Sequence, residues 1–176
     1  MKEKMFREYR TILGQDATEA KIWAYMLLTA SGCHILSAVR ELIGLPREIR
    51  SVVVSPTGMQ FTLTCAYDGF NMVFEEMNDQ SVVEFDESIE IYQGDRKMSL
   101  KYDSPYIHYL PTQLTVSELE DGQAKTVVYG PQYHDMFFNE LLEFRQCIAE
   151  KRAPKCDVFD AAEDVSWFLD IAEQMR

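Results

Sequence analysis

Apolar residues recur at three- and four-residue steps near both ends of this chain and at two-residue steps between them, a pattern that predicts helices, then sheet, then helices. Met5, Phe6, Tyr9, Ile12 and Leu13, with Lys and Arg between them, predict a short helix over residues 2–13 that stops at Gly14. Asp16 followed by Glu19 has the spacing of a capping box opening a second helix, which runs from about Ala17 to Ile43. Its buried stripe is Leu36, Val39, Leu42 and Ile43; Gly44 closes it and Pro46 prevents its continuation. Ser31-Gly32 predicts a kink or break in the middle, because glycine costs about 1 kcal/mol against alanine in a helix interior.

After Pro46 the period falls to two and β-branched residues dominate. Ile49–Val54, Gln60–Tyr67, Phe70–Met77, Ser88–Tyr92, Met98–Tyr102, Leu114–Leu119 and Ala124–Tyr129 read as strands, with Val82–Phe85 as a candidate eighth. Phe61, Leu63, Cys65 and Tyr67 alternate with Thr62, Thr64 and Ala66, which sets one face toward a core. Turn residues at Pro56-Thr57-Gly58, Asp68-Gly69, Gly94-Asp95 and Asp121-Gly122 fall between strands and predict hairpins of one antiparallel meander. Helical spacing returns at Phe137, Phe138, Leu141, Leu142, Phe144, Cys147 and Ile148, and again from Phe159 to Met175. The predicted class is α+β: an open, mostly antiparallel sheet of about seven or eight strands with helices packed on one face, in a single domain over residues 1–176.

Composition narrows the possible partners. A chain of 176 residues with 47% hydrophobic content can bury one core. Its 29 acidic against 17 basic residues give a net charge of -12, which repels phosphate backbones and anionic lipid and argues against nucleic acid or membrane as partner. The apolar stretch from Ile22 to Val39 is interrupted by Thr29, Ser31, Gly32, His34 and Ser37, so it reads as a buried helix and not as a membrane span. The first ten residues, MKEKMFREYR, lack the apolar core of an export signal. Cys33, Cys65, Cys147 and Cys156 form no CxxC pair, and scattered thiols fit a cytoplasmic protein. No two glycines stand two residues apart, which excludes GxGxxG, and no GxxxxGK[ST] phosphate loop is present.

The strongest chemical candidate is His34. Ser31, His34, Ser37 and Glu41 form a polar stripe beside the apolar one, and an imidazole with an ordinary pKa of about 6.5 suits proton transfer near neutral pH. The competing reading is a histidine satisfied by Ser31, Ser37 or a backbone carbonyl at a helix–sheet seam. In Asp103–Pro111, DSPYIHYLP, Tyr106, His108 and Tyr109 either line a substrate pocket or pin their own loop. His134-Asp135 reads as a helix cap in preference to a metal or acid/base pair. Asp157, Asp160, Glu163 and Asp164 open the last helix, where its dipole favours negative charge.

Taken in order, Gly32-x-His34, Arg40, Leu42, Gly44 and Pro46, an open sheet, then Phe137-x-x-Glu140-Leu141-x-x-Phe144, Pro154 and Asp160-Ala161 resemble the C-terminal domain of the Gfo/Idh/MocA oxidoreductases. The resemblance implies one half of an NAD- or NADP-linked dehydrogenase acting on a sugar or polyol-like small molecule, inactive alone. It places the nucleotide and the Glu-Lys-Pro lysine on an upstream Rossmann domain absent from this chain; no cofactor is held here. It makes His34 the catalytic histidine, with Ser31, Ser37, Tyr106, His108 and Tyr109 as substrate-side candidates, and makes the open sheet face a surface for homo-oligomers. Many members carry Asp four residues before and three residues after that histidine; Ala30 and Ser37 stand there here, removing carboxylates that would raise imidazole basicity. The alternative is a stand-alone, non-catalytic module that binds a ligand or a protein.

Overall fold

The computed structural model describes residues 2–104, 106–107, 110 and 112–176. The chain groups into two compact units, Met1–Ser81 with Cys156–Arg176, and Val82–Lys155. The fold class is α+β with open antiparallel sheets, in agreement with the sequence pattern.

The first unit holds α1 (Lys2–Leu13), α2 (Glu19–Leu27), a π-helical turn (Leu28–Gly32), α3 (Cys33–Ile43), the strands β1 (Glu48–Val54), β2 (Gln60–Ala66) and β3 (Asn71–Met77), and a final helix, Val158–Gln174. The strands pair antiparallel in the order β1-β2-β3. Register puts Val52, Leu63 and Phe74 in one row, with Ile49, Cys65 and Met72 in a neighbouring row on the same face. Phe61, Leu63 and Cys65 are buried on that face, and Ile22, Leu28, Leu36 and Ile171 from the helices are buried with them. Each such side chain contributes about 1.5–3 kcal/mol of hydrophobic stabilisation. Val53 and Val73 project from the opposite, solvent side. The run Glu19–Ile43 has the length and apolar composition to cross a membrane, but here its apolar side is the core of this unit.

Local chemistry explains the element ends. Thr18, and not the expected pair Asp16 and Glu19, caps α2: its side chain accepts from the Lys21 amide at 3.2 Å. Asp16 instead lies in the turn that follows Gly14. Gly58 (φ +76°) sits so close to α2 that a Cβ would collide with the Ala20 carbonyl, so this hairpin is pressed onto the helix. On its other edge β1 receives the chain end: Val52 bridges Met175, and the Val54 amide donates to the Arg176 carbonyl at 3.2 Å.

The second unit holds β4 (Glu87–Gln93), β5 (Arg96–Tyr102), β6 (Thr112–Glu120), β7 (Gln123–Gln132) and α4 (Met136–Glu150). The remaining helix, Val158–Gln174 in the first unit, is α5. The strands form a separate sheet in the order β4-β5-β6-β7, so the predicted single meander is two sheets. Val82–Phe85 is not a strand. The connection after Met77 turns at Asp79, whose carboxylate accepts from the Ser81 amide at 2.9 Å and hydroxyl at 2.7 Å, a local bond that competes with continued pairing. Asp135 caps α4 by accepting from the Phe138 amide at 2.8 Å, as the cap reading of His134-Asp135 predicts.

Arg40 ties α3 to α5. Its Nε donates to Asp164 Oδ1 at 2.6 Å, Nη2 reaches Asp160 Oδ2 at 2.8 Å and Nη1 reaches Glu163 Oε2 at 3.2 Å. Ser37 Oγ donates to the second Asp164 oxygen at 2.9 Å. Asp164 is buried, so removing its cation leaves an uncompensated carboxylate: Arg40→Ala is expected to cost about 3 kcal/mol in urea denaturation. Arg40, and then the Cys156 thiol, hold Asp160 below the usual carboxylate range. That contribution is complete above an unfolded aspartate pKa of about 3.9 and disappears as pH falls through the lower folded value. Stability measured against pH should fall more steeply below about pH 4 in the native chain than in Arg40→Ala.

Candidate functional site

His34 lies in the first turn of α3, immediately after the π-helical turn. The expected kink or break at Ser31-Gly32 is this turn: the helix widens and continues. Widening frees backbone carbonyls, and Thr29 Oγ1 takes up two of them, donating to Tyr25 O at 2.9 Å and Met26 O at 3.4 Å. Gly32 is buried, and a Cβ there would come within 3.2 Å of the Phe74 ring and 3.5 Å of Glu76 Oε2. Glycine therefore serves close approach of helix to strand at this point.

The imidazole of His34 is exposed, and no side chain among the described residues holds it. The two hydroxyls expected beside it behave differently. Ser31 is exposed, whereas Ser37 is turned into the Arg40–Asp164 cluster and does not orient the ring. Among the described residues, neither Ser31, Ser37 nor a backbone carbonyl bonds the His34 ring as the seam reading expects. Tyr106 belongs to the second unit and is 85% exposed. His108 and Tyr109 lie outside the described residues.

Sequence reasoning missed the group that surrounds the start of α3 on its inner side. Burial raises the Cys33 pKa, and the carboxylates of Asp164 and Glu76 push it further the same way. The acids at 160, 163 and 164 stand near the start of α5, where the sequence predicts dipole partners. Their spacing also puts them on one helical face, and that face meets Arg40.

Other chemistries find no support. Burial raises Cys65 to about 11, and a bond to Asp160 followed by burial raises Cys156 to about 11. Cys147 is raised by burial and then by Glu143. Each shift is opposite to that of an activated thiol nucleophile. No cluster of three metal-ligating side chains occurs among the described residues. Two shallow hollows in the first unit do not include His34. One, of about 410 Å³, lies between Asp16–Lys21, the β1 end and Met175; the other, of about 550 Å³, lies between Leu45–Ile49 and α5 and is lined partly by Trp167. Trp167 Nε1 is buried without an acceptor among the described residues.

No protein-family model and no curated protein matches this sequence. Solved structures do match in fold. One is yvaA from Bacillus subtilis, provisionally described as an oxidoreductase, at TM-score 0.59 and 17% identity over 84% of this chain and 48% of that one. Another is YPO2259 from Yersinia pestis, also provisionally described as an oxidoreductase, at TM-score 0.62 and 12% identity over 84% of this chain and 47% of that one. The chain thus spans about half the length of the oxidoreductase structures whose fold it shares.

Exposure, and the absence of a side-chain partner among the described residues, separate His34 from the core that supports it. His34→Ala is expected to change stability by less than about 0.5 kcal/mol, whereas Asp164→Ala should cost about 3 kcal/mol or more. Paired thermal melts check this; an equal loss in both variants would make His34 a structural residue.

Proposed function

We propose that this chain is the substrate-binding and oligomerisation half of a Gfo/Idh/MocA-like oxidoreductase, with His34 as the group that faces the substrate. The observation that carries the reading is an exposed imidazole, without a partner among the described residues, set just after a π-helical turn in a fold that covers about half of two oxidoreductase-described chains. An imidazole so placed can accept a proton from a substrate hydroxyl or donate one to a carbonyl oxygen. Ser31, one turn before it, offers a hydroxyl to a neighbouring substrate oxygen. Sugar and polyol substrates suit such a set because they present adjacent hydroxyls.

The residues of this chain do not fit a nicotinamide dinucleotide. A pyrophosphate needs a glycine-rich turn leading from a parallel strand into a helix, and the paired strands here are antiparallel and joined without such a turn. The proposal assigns NAD or NADP to a Rossmann domain outside this sequence, in a cytoplasmic protein.

The second sheet supports self-association. Register places Ile89, Leu100, Leu114 and Tyr129 in one row, and Ile91, Met98, Val116 and Val127 in the next, on a single face. None of these eight side chains is buried. An apolar face of this extent is covered by a second copy in the proposed assembly.

Two measurements test the reading. Sugars, inositols and other polyols titrated against the chain by NMR should include a binder whose shifts centre on His34 and vanish in His34→Ala; a silent panel at tens of millimolar, about the weakest affinity of interest, would count against it. NAD(H) and NADP(H) should not bind, and tight stoichiometric binding to this chain would refute the division of labour. In light scattering, Val116→Lys should shift the chain toward its 20.4 kDa monomer, and a native protein that never exceeds that mass would remove the oligomer from the proposal.

A further inference from the structure

Helix α4 carries a feature that the proposed function does not use. Phe137, Leu141, Phe144 and Ile148 follow steps of four, three and four residues, and all are exposed, at 46%, 68%, 65% and 63%. This is the spacing of the apolar seam between two packed helices, with Leu141 and Ile148 at one core position of the heptad and Phe137 and Phe144 at the other. On that assignment Glu140 and Arg145 occupy the two flanks of the stripe. Both are exposed, and neither has an ion-pair partner among the described residues. Five residues apart, they do not face each other on one helix.

We propose that α4 is an interface with a second copy of this chain, in which two α4 helices pack in parallel about a two-fold axis. Parallel packing brings Glu140 of one copy against Arg145 of the other and, by symmetry, the reverse pair as well. Antiparallel packing instead lines each flank with its own kind and satisfies neither charge. The pairing of an exposed apolar seam with two unspent, opposite charges at its flanks is what favours a second copy in this orientation over other occupants.

The interface is small. Fifteen residues span about 22 Å of helix, and one stripe of four apolar side chains along that length covers less than the roughly 800 Å² per partner of a standard interface. The contact is accordingly weak and concentration-dependent, and it is separate from the apolar face of the β4–β7 sheet.

Sedimentation equilibrium of the whole chain over roughly 10–500 μM reads the outcome. Glu140→Arg and Arg145→Glu each turn both pairs repulsive, and each alone should weaken association by about tenfold. Both sites are exposed, so neither change threatens folding. An equimolar mixture of the two variants should associate as tightly as the native chain, because one variant then presents arginine at both flank positions and the other glutamate at both. Leu141→Glu should weaken association with no rescue on mixing. These differences appear between 20.4 kDa and its double if the sheet face is not an interface, and one doubling higher if it is, so failure of either surface is seen separately. Single variants that associate like the native chain, a mixture no tighter than its components, or a native chain whose mass is unaffected by Leu141→Glu would overturn the proposal and leave the seam to a different protein domain.

Discussion

One guanidinium closes the first unit. Residues 160–164 are more than 110 positions from Arg40, yet Asp160, Glu163 and Asp164 meet that single side chain, and Ser37 occupies the remaining Asp164 oxygen. A buried carboxylate is costly without a fixed counter-charge. The cluster therefore fixes which face α3 turns toward α5. With that face committed, Leu36 and Val39 point to the sheet core, and His34, one turn earlier, is left to solvent.

The π-helical turn makes the same division from the other side. Gly32 lets the backbone come down on Phe74, and Thr29 absorbs the carbonyls released by the wider turn. The imidazole is thus presented by a helix and not by a loop. Ser37 shows how the same stripe divides in function. Its place three residues after His34 resembles that of an orienting partner, but its hydroxyl is spent on holding two helices together.

The second unit is organised differently. Among its described residues Cys147 is the buried hydrophobic one, and the strand positions facing one side of the sheet are only partly covered. Glu143 is held down to about 2 by Arg152, whose guanidinium also reaches the Cys147 thiol at 3.2 Å, so the end of α4 is fixed by an ion pair more than by burial. Such a unit retains apolar side chains that are not buried, on one face of the β4–β7 sheet and along α4.

The periodicity of the sequence determined most of the elements, because burial of one face imposes a period of two on strands and near four on helices whatever lies opposite. Phe61, Leu63 and Cys65 were legible as core from alternation, and Gly44 and Asp135 as helix ends from local backbone chemistry. Pattern does not encode which strands share a sheet; β3 and β4 belong to different sheets, and the connection between them includes a turn bonded by Asp79 and Ser81. Nor does it tell a helix break from a π-helical turn, since glycine serves either and the distance to Phe74 decides. His34 was visible as a candidate because few residue types titrate near neutral pH. The diversion of Ser37 to Asp164 came from α5, more than 100 residues away in the chain and adjacent only in three dimensions.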